Sequence, residues 1–270
     1  MPFSDSLAKT KEHIRDWDVC LICSHNYEQA GATSNQQVST TIEIKSTLNK
    51  ALIEDYCTRN NVRAESIYQL AWAIAVSAFA GVTSPCSGFV GLSPTSRRLS
   101  LFRCKIDSNQ HLAGLLKALE VRYLREPAGD GLSTKTTPED DEMVVVTPAV
   151  LTTGLYDSII VQMLDANSVD PALEVGKWSS YVQIPLAVYI FETASGNSVF
   201  SRLATMSKLL SSHRATSLGE SFVETANALI ENENETLSNI NIMGDADRKR
   251  VQLWNASAIH MDERCIYEVI

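Results

Sequence analysis

The sequence has few of the features that would assign a chain to a functional class at once. Positive charge is scarce: 23 basic residues face 32 acidic ones, a formal net charge of −9. A surface of that sign repels a phosphate backbone, which excludes nucleic-acid binding as a main function. Long apolar runs are missing too, because a membrane span needs roughly 18 apolar residues and the longest candidate, residues 70–80, fits a buried helix better.

Cysteines are few and show no repeated spacing, which is typical of reduced thiols rather than a disulfide framework. They are Cys20, Cys23, Cys57, Cys86, Cys104 and Cys265. The pair Cys20 and Cys23, with His25 nearby, resembles half of a zinc site, but no second ligand pair follows and no metal ligand is assigned. Residues 1–8 contain no apolar signal core, so we expect a cytoplasmic protein.

The periodicity predicts alternating strands and helices. Strands are expected at residues 38–44, 86–92, 101–107, 143–151, 158–164, 181–191 and 239–243. Helices are expected from a Ser46 cap to Asn60, at 64–80 with a stop at Gly81, at 112–123, 199–210 and 218–230, and after Asp245. Pro185 suggests an edge strand or a bulge, and Ser217 with Glu220 suggests a capping box. This order predicts an α/β fold with one mixed sheet flanked by helices.

Four sequence blocks carry the most specific pattern. The last contains Leu253-Trp254-Asn255, followed by Cys265-Ile266-Tyr267-Glu268. Upstream lie residues 64–76 with an Ala-Trp-Ala core, residues 88–98 ending in Thr-Ser-Arg-Arg, and residues 101–125 with paired leucines. In this order the blocks resemble condensation domains of non-ribosomal peptide synthetases, fungal ones above all. The last block resembles the junction with an adenylation domain.

The resemblance implies a fold, an activity and partners. The family fold has two lobes, each similar to chloramphenicol acetyltransferase, and this chain resembles the second. The family forms amide bonds between aminoacyl groups carried as thioesters, so phosphopantetheine on partner carrier domains is implied, with no cofactor or metal bound directly. The implied division is a poorly defined segment at 1–37, the lobe at 38–255, and a linker with the start of an adenylation domain at 256–270.

The departures from the family concern its catalytic motif, His-His-x-x-x-Asp-Gly. No histidine here is doubled or followed four positions later by aspartate; the five are His13, His25, His111, His213 and His260. A glycine of the family's Ser-Gly-Arg block is also replaced, and the segment that the family carries between Arg98 and Leu101 is missing. We therefore assign no catalytic residue and expect a truncated fragment of secondary-metabolite synthesis that is inactive alone.

Four residues are candidates for structural roles or contact with a carrier. Arg97 and Arg98 are suited to a phosphopantetheine phosphate, or else to a structural role between lobes. Trp254 is expected to anchor the last helix, with Asn255 beside it. The acidic residues 139–142 fit a solvated loop better than a catalytic cluster.

Two other functions stay open. The chain is either a non-catalytic docking partner of a carrier protein or synthetase, or a half-acyltransferase completed in trans by a separate N-terminal lobe.

Overall fold

The computed structural model describes residues 22, 39–44, 48–92, 97–123, 158–163, 186–192, 198–206 and 210–256. Within these ranges the strands are β1 (Ser39–Glu43), β2 (Leu48–Asn49), β3 (Cys86–Leu92), β4 (Arg97–Arg103), β5 (Glu120–Tyr123), β6 (Ser158–Met163), β7 (Leu186–Glu192) and β8 (Ser198–Met206). The helices are α1 (Lys50–Asn60), α2 (Ala64–Ala80), α3 (Leu112–Ala118), α4 (Ser212–Glu231) and α5 (Asp245–Ala256), with a 3₁₀ turn at Leu237–Asn239.

All the strands join one mixed sheet in the order β1-β8-β7-β6-β3-β4-β5, and β2 also pairs with β8. The central strands β7, β6 and β3 are mutually parallel. Antiparallel strands flank them on both sides. Parallel strands are normally covered on both faces and read as continuous apolar runs. The strand β7 follows this rule, because Leu186 to Phe191 are all buried.

The helices α2 and α4 pack side by side against the sheet and form the centre of the core. In α2 every residue from Ile67 to Val76 is buried, as expected for a helix covered on all sides. The Trp72 indole meets the Phe222 ring of α4 edge to face, with ring centroids 5.8 Å apart. Gly219 of α4 approaches Ile44, the residue after β1, and a Cβ atom at Gly219 would meet Ile44 Cδ1 at 2.7 Å.

Local sequence explains where these helices begin and end. Asn49 and Ser211 precede α1 and α4, and their side chains accept from the backbone N–H groups of Leu52 and Arg214, the usual role of an N-cap. Asn61 ends α1 and Gly81 ends α2 in the left-handed conformation, with φ of 51° and 68°. Asparagine and glycine are the residues that adopt it most readily.

Most elements predicted from periodicity are confirmed. The strands at 38–44, 86–92 and 158–164, the helix at 64–80 and the mixed sheet are all present within a residue or two. The predicted strand at 143–151, the solvated loop predicted for residues 139–142 and the proposed cap Ser46 lie outside the described residues.

Several local predictions are wrong. Residues 199–210 were predicted as a helix, but Ser198–Met206 is the strand β8. The apolar residues at 199, 203, 206 and 210 have the spacing of a helical face. The segment forms a strand because it pairs with β7 on one side and with β1 on the other. The predicted helix 112–123 stops at Ala118, because Glu120–Tyr123 pairs with β4.

Three further local predictions differ from the structure. The cap of α4 is Ser211 rather than Ser217. The segment 239–243 forms no strand, since the 3₁₀ turn ends at Asn239. Pro185 suggests an edge strand or a bulge. The edge alternative is wrong, because β7 is paired on both sides from Leu186 onward, and the bulge alternative concerns Pro185, which lies outside the described residues.

Candidate functional site

The carboxyl ends of the three parallel strands meet at one edge of the sheet. Because β4 runs antiparallel to β3, it begins at the same edge, and Arg98 pairs with Gly91 across the ladder. Gly91 pairs on its other side with Gln162 of β6, and Gln162 pairs with Ile190 of β7. In open α/β sheets ligands usually bind at the carboxyl ends of the strands, so this edge is the candidate site.

Three polar side chains meet there and form what we call the Glu192 cluster: Tyr68, Gln162 and Glu192. Glu192 Oε1 accepts a hydrogen bond from Gln162 Nε2 at 2.7 Å and another from the Tyr68 hydroxyl at 3.0 Å. Tyr68 is 0% exposed and Gln162 is 2% exposed, whereas Glu192 is partly exposed at the end of β7. The cluster therefore joins helix α2 to two central strands through one carboxylate.

Burial and the neighbouring carboxylate fix the protonation of this cluster. Burial, reinforced by Glu192, raises the pKa of Tyr68 well above its ordinary value, so Tyr68 stays a neutral donor. Burial and the charges of Glu192 and Glu54 likewise raise the pKa of the nearby Cys57 thiol. A thiolate is thus disfavoured at Cys57, and nucleophilic chemistry there is not supported.

Two buried polar atoms, one in the cluster and one near it in the sheet, lack a hydrogen-bond partner among the described residues. They are Gln162 Oε1 and Ser201 Oγ, and their residues occupy one row of the sheet on either side of Ile190. A third such atom, Gln69 Oε1, belongs to α2. Buried polar atoms are usually paired, so each unpaired one indicates either an unfilled ligand position or a local cost in stability.

A second buried polar chain lies at the opposite ends of the same strands. Trp72 Nε1 donates to Ser158 Oγ at 3.2 Å, and the Ser158 and Ser87 hydroxyls are 2.8 Å apart. Ser87 and Ser158 are both buried. These three hydrogen-bonded side chains position α2 on the sheet. None of them is exposed, so their role is structural.

The structure places the four predicted residues on two separate elements. Arg97 and Arg98 open β4, opposite Leu92 and Gly91, at the edge that also carries Gln162. Trp254 and the exposed Asn255 lie near the end of α5, a helix that packs against α4. The backbone of Arg98 therefore lies in the same row of the sheet as Gln162. Trp254 and Asn255 lie on a different element, α5.

A separate open groove of about 520 Å³ lies beside α4 and α5. Its lining is polar and acidic, with amides and one guanidinium: Glu224, Asn227, Ala228, Glu231, Asn232, Glu235, Asn239, Ile240, Asn241 and Arg248. Arg248 is held by the Met243 carbonyl, which accepts from its Nη2 at 3.0 Å. The groove has the character of a solvated seam between two helices.

The sequence did not single out Tyr68, Gln162 or Glu192. One signal was present, because Gln162 and Glu192 are polar residues at the ends of two otherwise apolar strands. Within the described ranges, no group of three His, Cys, Asp or Glu residues is placed to hold a metal ion. The half site at Cys20 and Cys23 falls outside those ranges. None of the described helices has the length and apolarity needed to cross a bilayer.

Comparisons with solved structures give a consistent fold. The X-domain from teicoplanin biosynthesis, in its complex with OxyB, matches 90% of this chain and 56% of its own, with 12% identity and a TM-score of 0.55. The starter condensation domain of rhizomide synthetase, in complex with C8-CoA and Leu-SNAC, matches 90% and 55%, with 10% identity and a TM-score of 0.54. A condensation domain of the enacyloxin polyketide synthase, studied for chain release, matches 84% and 47%, with 11% identity and a TM-score of 0.52.

The chain has the fold of a condensation domain. The fold-class prediction, a chloramphenicol-acetyltransferase-like lobe with a mixed sheet flanked by helices, is thereby confirmed. The likeness to condensation domains that the sequence blocks indicate is confirmed at the level of the fold, and the fungal type stays a prediction. The chain spans about half the length of the condensation-domain structures that it matches. No protein-family model and no curated protein matches its sequence.

Proposed function

We propose that this chain is the second lobe of a non-ribosomal peptide synthetase condensation domain, of the fungal, secondary-metabolite type. The observation that carries the proposal is the agreement of two independent features. Four sequence blocks occur in the family's order, and the fold matches condensation domains over 84–90% of the chain. The lobe would occupy residues 38–255, preceded by an undefined segment at 1–37 and followed at 256–270 by the start of an adenylation domain.

In this proposal the chain forms no amide bond by itself. The printed sequence contains no His-His-x-x-x-Asp-Gly motif, and a positioned general base contributes roughly 10²–10⁴ in rate. At the described carboxyl edge Tyr68 is held protonated, so it does not replace the missing base. The lobe would supply a binding surface, and a first lobe joined in cis or in trans would supply the base.

The partners in this proposal are carrier domains with phosphopantetheine arms. One comparison structure contains a coenzyme A thioester and a thioester analogue, which supports carrier-linked substrates for the fold. Arg97 and Arg98 open β4 at the carboxyl edge and would contact the phosphate of the arm, because guanidinium and phosphate form strong charge-assisted pairs. Trp254 and Asn255 would fix α5 at the junction with the next domain.

A reconstitution assay tests the proposal. A donor carrier loaded with an aminoacyl thioester and an acceptor carrier are incubated with this chain, and the amide product is measured by mass spectrometry. We expect no product above the carrier-only background from the chain alone, and product when a first lobe bearing the family motif is added. Product from the chain alone would overturn the assignment as a motif-less lobe.

Carrier binding is the second part of the test. Titration calorimetry with a phosphopantetheinylated carrier should show saturable binding that weakens about tenfold, or 1.4 kcal/mol, in Arg98→Ala. The matched control is Arg214→Ala, which removes an exposed arginine on α4 and should bind like the parent chain. Equal affinity of all three proteins would exclude Arg98 as the phosphate contact.

A second function is favoured by one comparison. The X-domain of teicoplanin biosynthesis has this fold and is found in a complex with another protein, OxyB. By analogy this chain would be a non-catalytic domain that docks on a synthetase and binds another protein. The reconstitution assay distinguishes the two proposals, because a recruitment domain gives no amide product with any first lobe. Such a domain should still be retained on an immobilised synthetase.

We also propose a cytoplasmic location. Cys57, Cys86 and Cys104 are free thiols, which fits a reducing compartment. Localisation of the tagged full-length protein by microscopy tests this.

A further inference from the structure

We draw no further inference here: the strongest candidate, the open groove of about 520 Å³ beside α4 and α5, is a cluster of carboxylates and amides, and no second observation within the described part of the chain points to a ligand for it.

Discussion

At the scale of single residues, Tyr68 illustrates how a buried polar group becomes part of the core. Its hydroxyl would be costly in the interior without a partner, and Glu192 provides one at 3.0 Å. Burial raises the pKa of Tyr68 well above its ordinary value, so its hydroxyl stays a neutral donor to the Glu192 carboxylate. Hydrogen bonds of that kind are stronger than neutral ones.

Tyr68→Phe should therefore destabilise the fold by about 1.5–3 kcal/mol, the range for a hydrogen bond to a charged group. The measurement is urea unfolding at pH 7, followed by circular dichroism. Tyr189→Phe is the matched control, because Tyr189 is equally buried and its hydroxyl has no hydrogen bond within the described ranges. Similar losses in both variants would show that the Glu192 bond contributes little.

The Glu192 cluster also shows which residues sequence reasoning misses. Tyr68 and Glu192 are 124 positions apart, and no local period connects them. The pattern of α2 indicates that Tyr68 is buried, and the end of β7 indicates a polar residue at an edge. Only the parallel pairing of β6 with β7, and the placing of α2 above them, brings the residues together. The arginine block was identifiable because its signal is contiguous in sequence.

At the scale of elements, prediction succeeded where local and tertiary preferences agree. Helix α2 has an apolar face, buried neighbours and a glycine stop, and its bounds were predicted within a residue. Strand β8 was predicted as a helix because its apolar spacing suits both periods. The segment is a strand because β8 pairs with β7 on one side and with β1 and β2 on the other. Partners remote in sequence therefore determine the elements that local pattern leaves ambiguous.

The start of α4 offers a test of local control. The Ser211 side chain accepts from Arg214 N at 3.3 Å and satisfies one of the free N–H groups of the first turn. Ser211→Ala should cost about 0.5–2 kcal/mol in the free energy of unfolding, measured by urea titration. Ser212→Ala, one residue further and already helical, should change stability by a few tenths of a kcal/mol at most. If the two variants are equally stable, the cap bond is unimportant.

The contact of α5 with α4 depends on a glycine. A Cβ atom at Gly244 would meet Glu220 Cβ at 2.5 Å, and an atom so near the backbone cannot swing away. Gly244→Ala should displace α5 and speed amide hydrogen exchange across Asp245–Ala256. The core strands should keep their protection. Gly114→Ala is the control, because a Cβ there meets the movable side chain of Gln110, and exchange in α5 should be unchanged. Unaltered α5 exchange in Gly244→Ala would contradict this reading of the contact.

At the scale of the whole molecule, the fold buries several ionisable groups in their neutral forms. Burial raises the pKa of Tyr68, Tyr189 and Tyr56, with Glu233 adding to the effect at Tyr56. Burial also raises the pKa of the Cys57 thiol. Each group binds its proton more tightly in the folded chain than in the unfolded one. Their contribution to stability is therefore complete below the unfolded pKa values, near 8.5 for the thiol and 10 for the phenols, and is lost as pH rises above them.

The chain should accordingly show steep alkaline unfolding. Above about pH 10 each raised tyrosine lowers the free energy of unfolding by up to about 1.4 kcal/mol per pH unit, since the unfolded chain releases its proton first. Urea midpoints measured from pH 7 to 11 should stay nearly level up to about pH 8.5, fall slightly as Cys57 contributes, and drop sharply beyond pH 10. Tyr68→Phe should start from a lower stability and decline less steeply, because one of the linked groups is gone. A flat profile to pH 11, or an equal slope in Tyr68→Phe, would mean that the Glu192 cluster and its surroundings are open to water in the folded protein.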